Sequence, residues 1–191
     1  MKPSFLQKLF CRIPELRGQR LLLRRIRHAD AKDMYTYSRR ADVTRYLLWT
    51  PHPSLEHTEQ YISYLQEQYR SGALYDWAIT LAESGKMIGT AGFSAVHPEH
   101  NSAEIGYVLN PDFHNRGYAT EAVRLVLDFG FRVMKLHRIE ARCFADNLAS
   151  RRVMEKCGLS YEGTAKDGMK IKGKYETIFT YAILENEYKE R

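Results

Sequence analysis

The run NPDFHNRGYATEA at residues 110–122 places a proline, an arginine and a glycine ahead of an apolar, helix-like stretch. Pro111 keeps the strand-like residues 103–109 (AEIGYVL) from running into the helix-like residues 119–134. The turn presents the backbone N–H groups of Arg116, Gly117, Tyr118, Ala119 and Thr120 at a helix start. Such groups lack intrahelical acceptors and carry the positive end of the helix dipole. Gly117 removes a Cβ where a ligand must come close to the backbone, and Arg116 adds charged donors. The ligand that suits this chemistry is a phosphate or pyrophosphate. An ordinary helix start has the same free N–H groups, so the stretch alone leaves both readings open. It is neither a G-x-x-x-x-G-K-[ST] loop nor G-x-G-x-x-G, because Tyr118 and Ala119 follow Gly117.

The elements that must position this turn follow from periodicity and punctuation. Residues 20–25 read as a first strand. A helix over 30–40 follows, with Asp30 as its expected N-cap. Pro51 and Pro53 break residues 47–54 into a loop. Ser54 caps a second helix, whose apolar residues Tyr61, Ile62, Leu65 and Tyr69 have helical spacing and which Gly72 ends. Strands at 75–81 and 86–94 form a hairpin about Glu83-Ser84-Gly85. A third strand covers 102–109. The helix to Met134 is apolar over much of its surface, as a helix buried on a sheet must be. A strand at 136–144 leads to a helix over Leu148–Lys156, capped by Asp146 or Asn147 and ended by Gly158. Strands at 159–166 and 174–184 pair around a turn at 167–173. The order β-α-α-β-β-β-α-β-α-β-β predicts a single α+β domain with about four helices. Its twisted sheet is mostly antiparallel, with one parallel pairing across the central crossover helix.

Composition narrows the class. The chain has 191 residues, 44% hydrophobic and 27% charged, which fits a folded domain and not a disordered chain. No apolar run reaches the ~20 residues of a membrane span, and the basic-apolar N-terminus has no signal-peptide core or cleavage site. Residues 1–18 are expected to be an extension, a short helix lying on the domain or a mobile arm, and residues 19–191 the domain itself. Cys11, Cys143 and Cys157 are few, odd in number and widely spaced, which fits reduced thiols in the cytoplasm. The net charge of +6 favours anionic partners without selecting one. Too few aromatics interleave RGQRLLLRRIR for a nucleic-acid platform, and solvated charges flanking a strand account for it. His52, His57, His97 and His100 lack metal-ligand spacing, so no metal is assigned.

The element order and an ordered set of motifs resemble the GCN5-related N-acetyltransferases (GNAT) over about residues 19–187. The motifs are RLLLRRIRHADA (20–31), WAI (77–79), MIGTAGF (87–93), AEIGYVLNP (103–111), RGYATEAVRLVLDFGF (116–131), HRIEARCFADNLASRRVMEKCGL (137–159) and YEG (161–163). The chain looks most like the branch that acetylates the N-terminal alanine or serine of ribosomal proteins. The family loop Q/R-x-x-G-x-G/A aligns with His114-Asn115-Arg116-Gly117-Tyr118-Ala119. His114 thus stands where glutamine or arginine is usual, and Asn115 where this branch often has glycine.

The resemblance implies acetyl-CoA as donor and a primary amine as acceptor. It implies that the turn, His114, Asn115 and Arg116 to Thr120, holds the CoA pyrophosphate. It further implies a V-shaped splay between strands 103–109 and 136–144 for pantetheine, with a backbone N–H at Val108 or Leu109 on the thioester carbonyl. An amine attacks only when neutral. An α-amine with a pKa of ~8 is about 3.4 kcal/mol easier to deprotonate than a lysine at ~10.4. Glu104, at the matching family position, is the candidate general base. A solvent-facing residue alternating with Ile105 would look the same. Asn147 and Ser150, three apart at a helix start, are candidates to bind pantetheine and to protonate the thiolate. Capping alone explains Asn147, and a surface position explains Ser150. Tyr107, Tyr118 and Tyr175 read by default as sheet or wall residues.

The acceptor stays open among a protein N-terminus and a small amine such as a polyamine, amino acid or aminoglycoside. A non-catalytic acyl-CoA-binding module is a third reading, and nucleic-acid binding a distant fourth. A sheet edge or residues 1–18 offer a surface for a second copy of the chain.

Overall fold

Eight strands and six α-helices form in residues 3–188, the part described by the computed structural model. In chain order they are α1 (Pro3–Cys11), β1 (Leu16–Arg17), β2 (Leu21–Arg24), α2 (Ala31–Ser38), α3 (Ala41–Thr44), α4 (Leu55–Ser71), β3 (Asp76–Leu81), β4 (Met87–His97), β5 (Ser102–Leu109), α5 (Tyr118–Arg132), β6 (Arg138–Phe144), α6 (Leu148–Lys156), β7 (Ser160–Ile171) and β8 (Lys174–Leu184). They make one sheet in the order β1-β2-β3-β4-β5-β6-β8-β7. Every pairing is antiparallel except β5 with β6, which α5 connects. The α+β class and the single parallel pairing are those the sequence predicts. The helix α1 is the short helix that residues 1–18 allow as an alternative to a mobile arm, and α3 and the short strand β1 are additional.

Both faces of the sheet are covered. Trp77 of β3 is fully buried among Phe10 of α1, Phe93 of β4 and Phe129 of α5, and its indole N–H donates to the Pro14 carbonyl at 2.7 Å. Ile26, Tyr37, Ile62 and Tyr69, from the β2–α2 connection, α2 and α4, are equally buried. Phe10 is 0% exposed, so the N-terminal helix contributes to the main core. Local signals set the helix ends as expected. The Ser54 hydroxyl accepts from the His57 N–H at 3.1 Å, and Gly72 closes α4 with φ +69°.

Three expectations are corrected. Asp30 makes no capping bond to α2. Its carboxylate instead takes a two-pronged ion pair from buried Arg24, at 2.7 and 2.8 Å, and accepts the Arg27 N–H. Arg24 is only 7% exposed, so the basic run at 17–27 is not all solvated flank. The last turn is also tighter than 167–173. β7 runs to Ile171, with an irregularity between Ala165 and Met169, and reverses at Lys172 and Gly173, which have φ +50° and +84°. Two consecutive left-handed residues give the tight hairpin that matches strand twist.

Asp76 is a half-buried acid without a basic partner among the described residues. Its Oδ1 accepts the Trp77 N–H at 3.1 Å, and it lies over Gly92, where a Cβ would come within 2.7 Å of that oxygen. Burial pushes its carboxyl up to about 7. The folded state therefore holds a proton that the unfolded chain releases near pH 4. The stabilisation this gives is complete below that pH and is lost as pH rises through about 7. Asp76→Asn keeps the acceptor oxygen and removes the charge. Between pH 5 and 8 the melting temperature of the wild type should fall relative to the variant, by roughly 5 °C at pH 8. Parallel melting curves would contradict this assignment.

Candidate active site

The pairing of β5 with β6 runs from Ser102 opposite Arg138 to Ile105 opposite Ala141 and stops there. β5 continues on β4 through Leu109 opposite Gly89, and β6 continues on β8 through Phe144 opposite Ile178. The two central strands therefore part after Ile105, and a cavity of about 920 Å³ fills the opening. Glu104, Val108, Leu109, His114, Asn115, Gly117, Tyr118, Ala119, Thr120, Asn147 and Ser150 all line it. Only Arg116 among the predicted site residues does not. Its guanidinium lies 5.8 Å from the Phe113 ring centre.

The strand register selects one N–H donor. The Asn110 N–H donates to the Ile88 carbonyl of β4 at 2.8 Å. Successive peptides of a strand face opposite sides, so the Val108 N–H also faces β4 and the Leu109 N–H and carbonyl face the opening. The Leu109 carbonyl indeed accepts from His114 Nε2 at 3.0 Å, which requires the Nε2–H form of the ring. His114 thus braces the Leu109 peptide. This is a different task from the phosphate contact that its place in the motif implies.

The turn ends in an uncapped helix. Gly117 occupies the N-cap of α5 with φ +79° and no side-chain cap, and its carbonyl accepts the Glu121 N–H at 3.0 Å. The N–H groups of Tyr118, Ala119 and Thr120 therefore face the cavity without intrahelical acceptors. Asn115 has φ +59°, a conformation open to glycine and asparagine and costly for other residues. That explains why asparagine replaces the usual glycine. Asn115→Gly should leave CoA affinity within about twofold, whereas Asn115→Val should weaken it or destabilise the fold by about 1–2 kcal/mol. Calorimetric titration with CoA and a melting curve check both, and an unaffected valine variant would contradict the explanation.

Asn147 does cap α6, its Oδ1 accepting the Ser150 N–H at 3.1 Å. The Ser150 hydroxyl lies 2.8 Å from the Tyr107 hydroxyl, which also donates to the Ser150 carbonyl at 3.0 Å. Burial raises the Tyr107 pKa, so the phenol stays protonated and holds the serine in place. Cys143 also lines the cavity, but burial pushes its thiol up to about 11, which leaves no thiolate for a covalent step.

Glu104 faces the cavity from β5, in register with Glu140, and Arg142 lies two residues further along the same face of β6. Arg142 Nη2 and Nε both donate to Glu104 Oε2, at 2.6 and 3.0 Å. The far wall comes from the chain after α3. Tyr46 packs edge-on against Phe144 at 5.7 Å, and Lys172 at the β7–β8 tip donates to the Thr44 carbonyl at 2.5 Å. Through this bond the tip of the hairpin reaches α3, and Met169 and Ile178 of the hairpin line the cavity.

Three residues outside the sequence expectation complete the site: Tyr107, Arg142 and Arg20. Arg20 donates to Glu121 and to the Arg116 carbonyl, both at 2.8 Å, and stacks over Tyr118 at 4.6 Å. It clamps the turn to β2. Glu121 in the first turn of a helix was its single local signal, and a favourable dipole contact accounts for that without a partner.

This geometry coincides with known proteins. The model of the acetyltransferase (GNAT) domain matches residues 20–160. The chain is 31% identical to the uncharacterized N-acetyltransferase p20 of Bacillus licheniformis over 89% of its length and 96% of the relative's. A GNAT-family acetyltransferase structure from Bacillus anthracis superposes with a TM-score of 0.81 at 33% identity, over 91% of this chain and all of that one. Likeness at 22% identity, which shows the fold alone, extends to two proteins of different acceptor. One is a ribosomal L7/L12 α-N-protein acetyltransferase in complex with coenzyme A, with a TM-score of 0.78 over 90% of this chain and 98% of that one. The other is a spermidine N-acetyltransferase from Vibrio cholerae in complex with CoA and spermine, with a TM-score of 0.76 over 90% and 99%.

Proposed function

The chain belongs to the GNAT acetyltransferases and is an acetyl-CoA-dependent N-acetyltransferase; from that premise we propose that its acceptor is the N-terminal α-amine of a protein and its general base Glu104. The observation that carries this reading is a carboxylate and an outward-facing backbone N–H on one strand, at the mouth of the splay. The residues present fit the donor. The uncapped start of α5 suits a pyrophosphate, with no Cβ at Gly117 to obstruct it. The unpaired edge of β5 beyond Ile105 suits the amide groups of pantetheine.

Bound acetyl-CoA supplies a thioester, at which the amine nitrogen forms the new C–N bond as the C–S bond breaks. Glu104 takes the proton from the amine, directly or through water. The Leu109 N–H, braced by His114, offers a hydrogen bond to the acyl oxygen as charge develops there. Ser150, held by Tyr107, is placed to return a proton to the departing sulfur. Direct attack is favoured because Cys143 is protonated and buried.

The lining holds Arg142, Arg152 and Lys156 against the acids Asp42 and Glu104, and this excess of cations suits an acceptor with one amine better than a polyamine, whose further positive charges it would repel. A small amine is the second reading, favoured by the two acids of the lining, Asp42 and Glu104. Thiol release from acetyl-CoA in the presence of free and N-blocked peptides, spermidine and free amino acids separates them. A free-peptide rate well above the others supports the proposal. Turnover with spermidine alone would replace it by the second reading.

A further inference from the structure

Arg142 makes less use of its guanidinium than its surroundings allow. Nε and Nη2 converge on one oxygen, Glu104 Oε2, while Nη1 makes no hydrogen bond among the described residues. Both side chains line the cavity, and that of Arg142 is the more open to solvent, 45% exposed against 16% for Glu104. The other acids near it already have partners. Glu140 is held by Arg138 at 3.1 Å, and Arg138 also holds Glu162. Asp146 is held by Arg45 at 3.0 Å and by the Tyr46 hydroxyl at 3.3 Å. Among the described residues, no acid is shown on the open side of Arg142.

We propose that Arg142 receives a carboxylate of the acceptor, so that the preferred substrate is an amine with an acidic group close by, such as a peptide beginning with Asp or Glu. The inference rests on the acetyltransferase reading above and narrows its acceptor. A planar guanidinium matches a carboxylate with parallel N–H groups, and Nη1 leaves one such edge available. An acceptor with an extra cation would instead meet Arg142 as a like charge.

The test uses the full chain, acetyl-CoA and matched peptides that begin with Glu, Gln or Lys, with free aspartate, asparagine and spermidine as small acceptors. The expected kcat/KM for the Glu peptide exceeds that for the Gln peptide about tenfold, the size of one charge-assisted hydrogen bond. The Lys peptide is slowest at its α-amine. Arg142→Gln should bring the Glu-to-Gln ratio to about one, and Arg142→Lys should keep a reduced preference, since a point charge replaces the fork. CoA titration confirms that each variant is folded. The ratio of two substrates on one enzyme does not move through a merely structural defect. Equal rates for Glu and Gln peptides in the wild type, or a preference that survives Arg142→Gln, would overturn this inference alone. Absence of thiol release with every amine would overturn the acceptor reading beneath it as well.

Discussion

Glu104→Gln is expected to lower kcat about a hundredfold or more, the range over which a positioned general base acts, while leaving CoA affinity within about twofold. Glutamine keeps the size of the side chain and an oxygen for Arg142, so the wall of the cavity persists. What it loses is the capacity to take a proton from the amine. The loss should shrink at high pH, where the α-amine is already neutral without help. That pH dependence separates a missing base from a distorted site, which would be slow at every pH. Steady-state kinetics from pH 6 to 9 with the best peptide, beside calorimetric titration with CoA, read both quantities. Unchanged kcat would remove Glu104 as the base and leave it as the partner that holds Arg142.

The second large effect falls on the donor side. Gly117→Asp should weaken CoA binding about a hundredfold or more, because it places a carboxylate at the start of α5, where the phosphates are expected. Aspartate is a good helix N-cap and tolerates a left-handed backbone, so the variant should cap α5 itself while repelling a second anion. Two or more charge-assisted hydrogen bonds are then lost to the ligand, each about 1.5–3 kcal/mol. Acetyl-pantetheine, which lacks the pyrophosphate, should be used by the variant and the wild type at similar rates. Equal loss with both donors would mean a damaged fold, and undiminished CoA affinity would mean that the start of α5 does not hold phosphate.

The features legible in the sequence are those whose cause is local. Ser54 and Asn147 announce helix starts because a short polar side chain there satisfies an orphan N–H three residues on. Pro111 and Gly117 mark the turn because their backbones allow little else and much else, respectively. The ordered motifs then carried the resemblance, and the structure gathers all its predicted site residues but Arg116 about one cavity. The unread features are contacts between distant segments. Arg20 meets Glu121 across 101 positions and Arg142 meets Glu104 across 38, and neither pairing leaves a periodicity. Whether Phe10 belongs to a helix lying on the domain or to a mobile arm is decided only when Trp77 and Phe129 are placed beside it. Asp30 shows how a local rule loses. Its capping bond was sacrificed to a buried arginine that needed both carboxylate oxygens.

The central claim is that this cavity passes an acetyl group from acetyl-CoA to an α-amine. The most direct measurement is the mass spectrum of a peptide that carries both a free N-terminus and an internal lysine, after incubation with the protein and acetyl-CoA, with released thiol counted in parallel. One acetyl group on the α-nitrogen for each thiol released is the predicted result. Acetylation confined to the lysine, or thiol release with no acetylated amine, would contradict it.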